Sequence, residues 1–164
     1  LGAVRRGVFV GDAVRAVNPQ ARVLIAGEIY KAPVNGRHRL GHWWEDMIKH
    51  LGSEVLKQFD GLAIHPYTNN GGMPDASVFS SYETIARGLP LYVTEDGAGP
   101  DEPRGQARHV EDALLAAQAG GCQWFCLYQL RSGTDPEWDF GAFDRNGNPR
   151  PVAFRLAELM GGTI

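Results

Sequence analysis

Leu89-Pro-Leu-Tyr-Val-Thr-Glu-Asp-Gly97 contains a short apolar run, Leu91-Tyr92-Val93-Thr94, that stops abruptly at Glu95 and opens onto Asp96-Gly97. A β-branched and aromatic stretch ending in an Asp-Gly turn signal reads as a buried strand. A carboxylate at such a terminus stands at the rim of a sheet, where α/β enzymes keep their chemistry. A lone strand-end acid serves equally well to solvate a turn. What tips the balance toward chemistry is that the same layout recurs along the chain.

Upstream, Val4 to Val17 reads as a helix stopped by Asn18-Pro19, and Arg22 to Ala26 as a strand ending near Gly27-Glu28. A Gly/Pro/Asn-rich loop follows through Gly41. Trp44, Met47, Ile48 and Leu51 then mark the apolar face of a helix that Gly52 ends, with a shorter turn through Val55, Leu56 and Phe59. Asp60 to Ile64 is the next strand, left by His65-Pro66-Tyr67. A helix around Val78 to Arg87 leads, through a Gly88 cap, to the strand Pro90 to Thr94. Downstream, Ala107, Val110, Ala113, Leu114 and Ala117 mark an amphipathic helix closed by Gly120-Gly121. Cys122 to Leu130, apolar on both faces, reads as a strand covered on both sides. A long loop carries Trp138, and Val152, Phe154, Leu156 and Leu159 lie on a last helix.

The composition fits one ordinary domain: 164 residues, 43% hydrophobic, net charge −3 with no block of like charges. Nucleic acid and anionic membranes are therefore poor partners, and no apolar run approaches the ~20 residues of a membrane span. The chain opens at Leu1, in what reads as mid-helix, so we expect a piece of a longer protein whose missing leader says nothing about location. Cys122 and Cys126, four apart on one strand, would sit ~13 Å from each other. A disulfide needs under about 7 Å, so both are expected as small core residues.

Strands alternating with helices imply a parallel sheet. Four such units fit a small doubly wound sheet or half of a (β/α)8 barrel, whose full length is about 250 residues. No glycine-rich phosphate fingerprint follows any strand, which favours the partial barrel. Reading the strand ends in turn gives Glu28, then His65 and Tyr67, then Glu95 and Asp96, then Tyr128, Gln129 and Arg131. Polar side chains gathered at every strand end, above apolar strand bodies, are what a catalytic barrel mouth requires.

The runs Asp60-Gly-Leu-Ala-Ile-His-Pro-Tyr67, Leu89 to Gly97 and Trp138-Asp-Phe-Gly-Ala-Phe-Asp144 resemble the sixth, seventh and eighth strand regions of clan A retaining glycoside hydrolases. Asn146-Gly-Asn-Pro-Arg-Pro151 and its helix look like the close of those barrels. The resemblance covers nearly the whole chain and implies an α/β fold, a partial TIM barrel of parallel strands 5–8 with their helices. It implies that Glu95 is the nucleophile, that Tyr67 holds its carboxylate by a hydrogen bond, and that His65 lines the adjoining subsite. Tyr128 takes the place of the aromatic sugar platform, usually a tryptophan, and Trp138 is a loop candidate for substrate binding. No cofactor and no metal are implied; the substrate would be an oligo- or polysaccharide, and the setting extracellular or periplasmic.

In that family the acid/base glutamate closes the fourth strand. Only one strand lies between Glu28 and Glu95, so Glu28 belongs to strand five and is at most a substrate-binding residue. The acid/base residue is then expected upstream of Leu1, with the missing N-terminal half of the barrel as the partner of this half. Two rivals remain open. One is a non-catalytic carbohydrate-binding half-barrel; the other is a metal-dependent barrel enzyme using Glu28, His65, Glu95 and Asp96 as ligands. Trp43, Trp44 and Trp124 read as core, and His38, His42, His50 and His109 as surface.

Overall fold

A computed structural model describes residues 11–29, 48–67, 76–101, 105–134 and 139–162, with residues 26–29 and 76 in backbone only. Trp138, Trp43, Trp44, His38, His42 and the loop expected up to Gly41 lie outside them. The described chain builds one sheet from β1 (Leu24–Ile29), β2 (Gly61–His65), β3 (Leu91–Asp96) and β4 (Phe125–Leu127), in the spatial order β1-β2-β3-β4. Every pairing is parallel. The helices are α1 (Ala76–Ala86), α2 (Gln106–Ala119) and α3 (Pro151–Leu159), with a 3-10 turn at Ser53–Gln58 and helical residues at 11–17 and 48–51. No helix among the described residues is long and apolar enough to cross a membrane.

Strand alternation sorts side chains onto two faces. Leu62 and Ile64 of β2 and Leu91 and Val93 of β3 point to the helices and pack with Val78, Phe79, Tyr82 and Ile85 of α1 and Ala117 of α2. Each such side chain, fully removed from water, contributes about 1.5–3 kcal/mol. A second cluster joins Val110 of α2 to Val152 and Ala153 of α3, with Phe125 and Leu127 of β4 beside it. On the opposite face the Tyr92 ring lies across Gly61, where a Cβ would come within 2.3 Å of it. Its hydroxyl accepts a 2.7 Å bond from Arg22, and the Trp124 ring meets its edge at 5.5 Å.

Several expectations are corrected. The last strand is three residues long, not the nine of Cys122 to Leu130. Trp124 is 57% exposed and Leu130 70% exposed, so the apolar run continues past the ladder into loop on both sides. Cys126 is exposed, and only the half-buried Cys122 packs on the core; both thiols are free. Burial pushes the Cys122 thiol up to about 12. His109 is buried, because it falls on the inward stripe of α2 with Gln106, Val110, Ala113 and Ala117. The last helix forms as expected over Pro151–Leu159, with Val152 buried and Phe154, about 200° around it, exposed. His50 is exposed as expected.

Candidate active site

His65 closes β2 and Glu95 lies near the end of β3, so a parallel sheet delivers both to the same rim. Tyr67 follows His65 by two residues and donates a 2.9 Å hydrogen bond from its hydroxyl to Glu95 Oε1. His65 Nδ1 stands 3.9 Å from Glu95 Oε2, too long for a hydrogen bond but close enough for charge to be felt. Its other ring nitrogen, Nε2, shares a 3.1 Å hydrogen bond with Thr94 Oγ1, which fixes the ring. Burial, then the Glu95 hydrogen bond and charge, hold the Tyr67 hydroxyl far above the ordinary phenol range. It is therefore a permanent donor to the carboxylate.

A regular strand would send Thr94 and Glu95 to opposite faces, yet His65 meets both. The explanation is a register shift. Val93 pairs with Phe125 and Asp96 with Leu127, so three steps on β3 match two on β4. The extra residue is a bulge, a device that re-aims a side chain at a strand end. It leaves Asp96 level with Leu127, which packs on the helix-side cluster. Asp96 is 0% exposed, and no side chain hydrogen-bonds either carboxyl oxygen. Burial pushes its carboxyl up to about 7, with the Glu95 charge acting in the same direction and the Gly97 N–H against it.

The next turn is fixed by contact with β4. A Cβ on Gly97 would lie 2.0 Å from the Tyr128 carbonyl oxygen, so only glycine lets the two segments approach. The Tyr128 N–H bonds back to the Asp96 carbonyl at 2.7 Å, and the Tyr128–Gln129 peptide is cis. Tyr128 is thereby carried to the same rim. Its ring meets Phe140 edge-on at 6.2 Å, and Phe140 meets Tyr67 at 6.4 Å.

The sequence-predicted residues thus divide. Glu95, Tyr67 and His65 come together directly, and Tyr128 joins them through Phe140. Glu28 pairs in β1 opposite Ile64, one step short of His65's level, and its side chain lies outside the described residues, as does Trp138. His65, Glu95 and Asp96 do not form a metal-ligand set: no three His, Cys, Asp or Glu groups converge among the described residues. Thr94, Phe140, Gln106 and Arg150 are participants that sequence reading did not assign. Asp139, Phe140 and Gly141 stood within a quoted motif, and their roles are now plain. Arg150 grips Asp139 by both carboxyl oxygens at 2.7 and 2.9 Å. Ser132 and Arg150 hold the Asp139 carboxyl below the usual carboxylate range. Gly141 leaves no room for a Cβ, which would fall 2.2 Å from Ser132 N.

No protein-family model and no curated protein sequence matches the chain. Solved structures do. A hyperthermophilic beta-glucosidase mutant aligns with a TM-score of 0.56 at 10% identity, over 92% of this chain and 46% of that one. An exo-beta-1,4-mannosidase from Opitutaceae bacterium strain TAV5 aligns with a TM-score of 0.62 at 16% identity, over 98% of this chain and 32% of that one. The chain therefore spans less than half the length of either structure. At such identities the likeness is one of fold: four parallel strands and their flanking helices, arranged as in part of those two structures.

Proposed function

We propose that this chain is the C-terminal half of the barrel of a retaining glycoside hydrolase, with Glu95 as its nucleophile. The observation that carries the reading is the 2.9 Å bond from Tyr67 to Glu95 at the rim where two adjacent parallel strands end. Support also comes from the names of the two structural neighbours, both glycosidases.

The chemistry asks for a carboxylate that stays charged and aimed. Hydrogen bonds to the charged form favour it, and a hydroxyl that keeps its proton supplies one without competing for charge. Glu95 attacks the anomeric carbon as the glycosidic C–O bond breaks, giving a covalent glycosyl ester. A second carboxyl, about 5–5.5 Å away, gives its proton to the leaving oxygen. The same group then takes a proton from water, whose oxygen displaces Glu95 and restores the original configuration. That second group belongs to the preceding half of the barrel, closing its fourth strand. His65 and Tyr128 flank the sugar, an oligo- or polysaccharide residue, at the mouth.

The test is to trap the complete barrel polypeptide with a 2-fluoro glycoside and map the modified peptide. The label is expected on the Tyr92 to Gly97 segment, at Glu95. A label on any other carboxylate would overturn the assignment.

A further inference from the structure

Phe140 is the hinge pin between two halves of the proposed site, touching the rings of both Tyr67 and Tyr128. What holds Phe140 is not its own strand, since it lies in the loop beyond β4. Gln106 bonds its carbonyl, and Arg150 bonds the carbonyls on either side of it. Gln106, the first residue of α2 and only 7% exposed, directs Nε2 at the carbonyls of Ala98 (2.9 Å), Phe140 (3.0 Å) and Gly141 (3.2 Å). Three carbonyl oxygens around one end of an amide require that end to be the NH2, with one N–H shared. Arg150 adds bonds to the Asp139 and Gly141 carbonyls at 3.2 and 3.1 Å.

Gln106 is the member of this set that joins the two loops. Ala98 lies in the turn leaving Glu95, whereas Phe140 and Gly141 lie in the turn beyond Tyr128. The two turns are already in contact, Gly99 standing where a Cβ would meet the Phe140 ring at 3.4 Å. A single buried amide thus sets the height of Phe140 against the strand that carries Glu95. Buried amides of this kind are expensive to leave unpaired, so the link is stiff.

We infer that Gln106 is a positioning residue for the nucleophile, acting through Phe140 on the ring of Tyr67. This rests on the reading of Glu95 as nucleophile. Gln106 touches no substrate; it fixes the aromatic surface against which Tyr67 must lie to point its hydroxyl at Glu95.

The complete barrel polypeptide would be compared as wild type, Gln106→Met, Phe140→Leu and the double variant. Methionine keeps the length of glutamine and removes the donors; leucine removes the ring contact and leaves every carbonyl bond in place. Each single variant is expected to lower kcat about tenfold with KM within twofold of wild type, and the double variant to fall no further than the worse single one. Wild-type kcat in a folded Gln106→Met, or losses that multiply in the double variant, would overturn the inference. Should Gln106→Met fail to fold, Phe140→Leu decides alone, full kcat there refuting the link. A probe independent of turnover is 3-fluorotyrosine at position 67, observed by 19F NMR. Gln106→Met is expected to shift or split that resonance, and an unchanged line would overturn the inference even if wild-type labelling by the fluoro glycoside failed.

Discussion

Replacing Asp96 by Asn is expected to stabilise the protein at alkaline pH relative to acidic pH, and the size of that swing follows from where the side chain sits. Asp96 is fully buried beside Glu95 with no side-chain partner, and its carboxyl is raised from an ordinary 3.8 to about 7. An acid whose folded value lies above its unfolded value favours folding most below the unfolded one. Its contribution is then lost as pH climbs, levelling off once the folded value has been passed. About three units at about 1.4 kcal/mol each gives roughly 4 kcal/mol over the whole range, and roughly 2–3 kcal/mol between pH 5 and pH 8. Asparagine cannot ionise; its unpaired amide costs about 1–3 kcal/mol, but equally at both pH values. Urea unfolding followed by tryptophan fluorescence would give the variant-minus-wild-type difference at each pH, in which titrating groups not coupled to Asp96 cancel. The difference should move in favour of the variant by roughly 2–3 kcal/mol from pH 5 to pH 8. A difference constant to within about 0.5 kcal/mol would show that Asp96 is not carrying a raised, buried carboxyl.

Tyr67→Phe removes the hydroxyl that bonds Glu95; a hydrogen bond to a charged group is worth about 1.5–3 kcal/mol, so kcat/KM of the complete barrel should fall about 10- to 100-fold with the melting temperature little changed. Gly97→Ala places a methyl 2.0 Å from the Tyr128 carbonyl oxygen, a backbone atom with no freedom to move aside, and should destabilise by more than about 3 kcal/mol in denaturant titration. Asp139→Asn tests the Arg150 clamp. The Asp139 carboxyl is held below its ordinary range, so its contribution is present at neutral pH and lost as pH falls through that lowered value. Acid unfolding should therefore depend less steeply on pH in the variant, and an identical acid transition would count against the clamp.

The parallel sheet and the meeting of Glu95, Tyr67 and His65 were legible because each depended on order along the chain. Strand ends followed by polar residues bring those residues to one end of the sheet, although which face each side chain takes depends on local register. Boundaries were less legible. Cys122 to Leu130 is apolar throughout, and hydrophobicity cannot distinguish the three paired residues of β4 from flanking loop that shares their composition. The buried polar residues of α2 carried a usable signal: Gln106 and His109 continue the three- and four-residue spacing of Val110, Ala113 and Ala117. Reading that stripe by position instead of by polarity would have buried both. The partners of Gln106 were beyond reach, since they are backbone carbonyls and any residue type supplies those.

The bulge in β3 shows why adjacent acids need not share a role. Alternation alone would put Thr94 and Asp96 on one face and Glu95 on the other, which would turn Glu95 into the helix layer and Asp96 toward the rim. One extra residue opposite β4 reverses the outcome. Thr94 and Glu95 then both reach His65, while Asp96 is left buried without a side-chain partner. The arrangement gives the two carboxyls different surroundings, Asp96 buried and Glu95 at the rim. Burial raises the Asp96 carboxyl from its ordinary 3.8 to about 7, so over much of the acidic range it is the neutral neighbour of Glu95. Gly97 makes the bulge possible by letting β3 press against the Tyr128 carbonyl directly after it. The segment Thr94 to Gly97 is thus a single device in which the glycine, the buried acid and the register shift all serve to present one carboxylate.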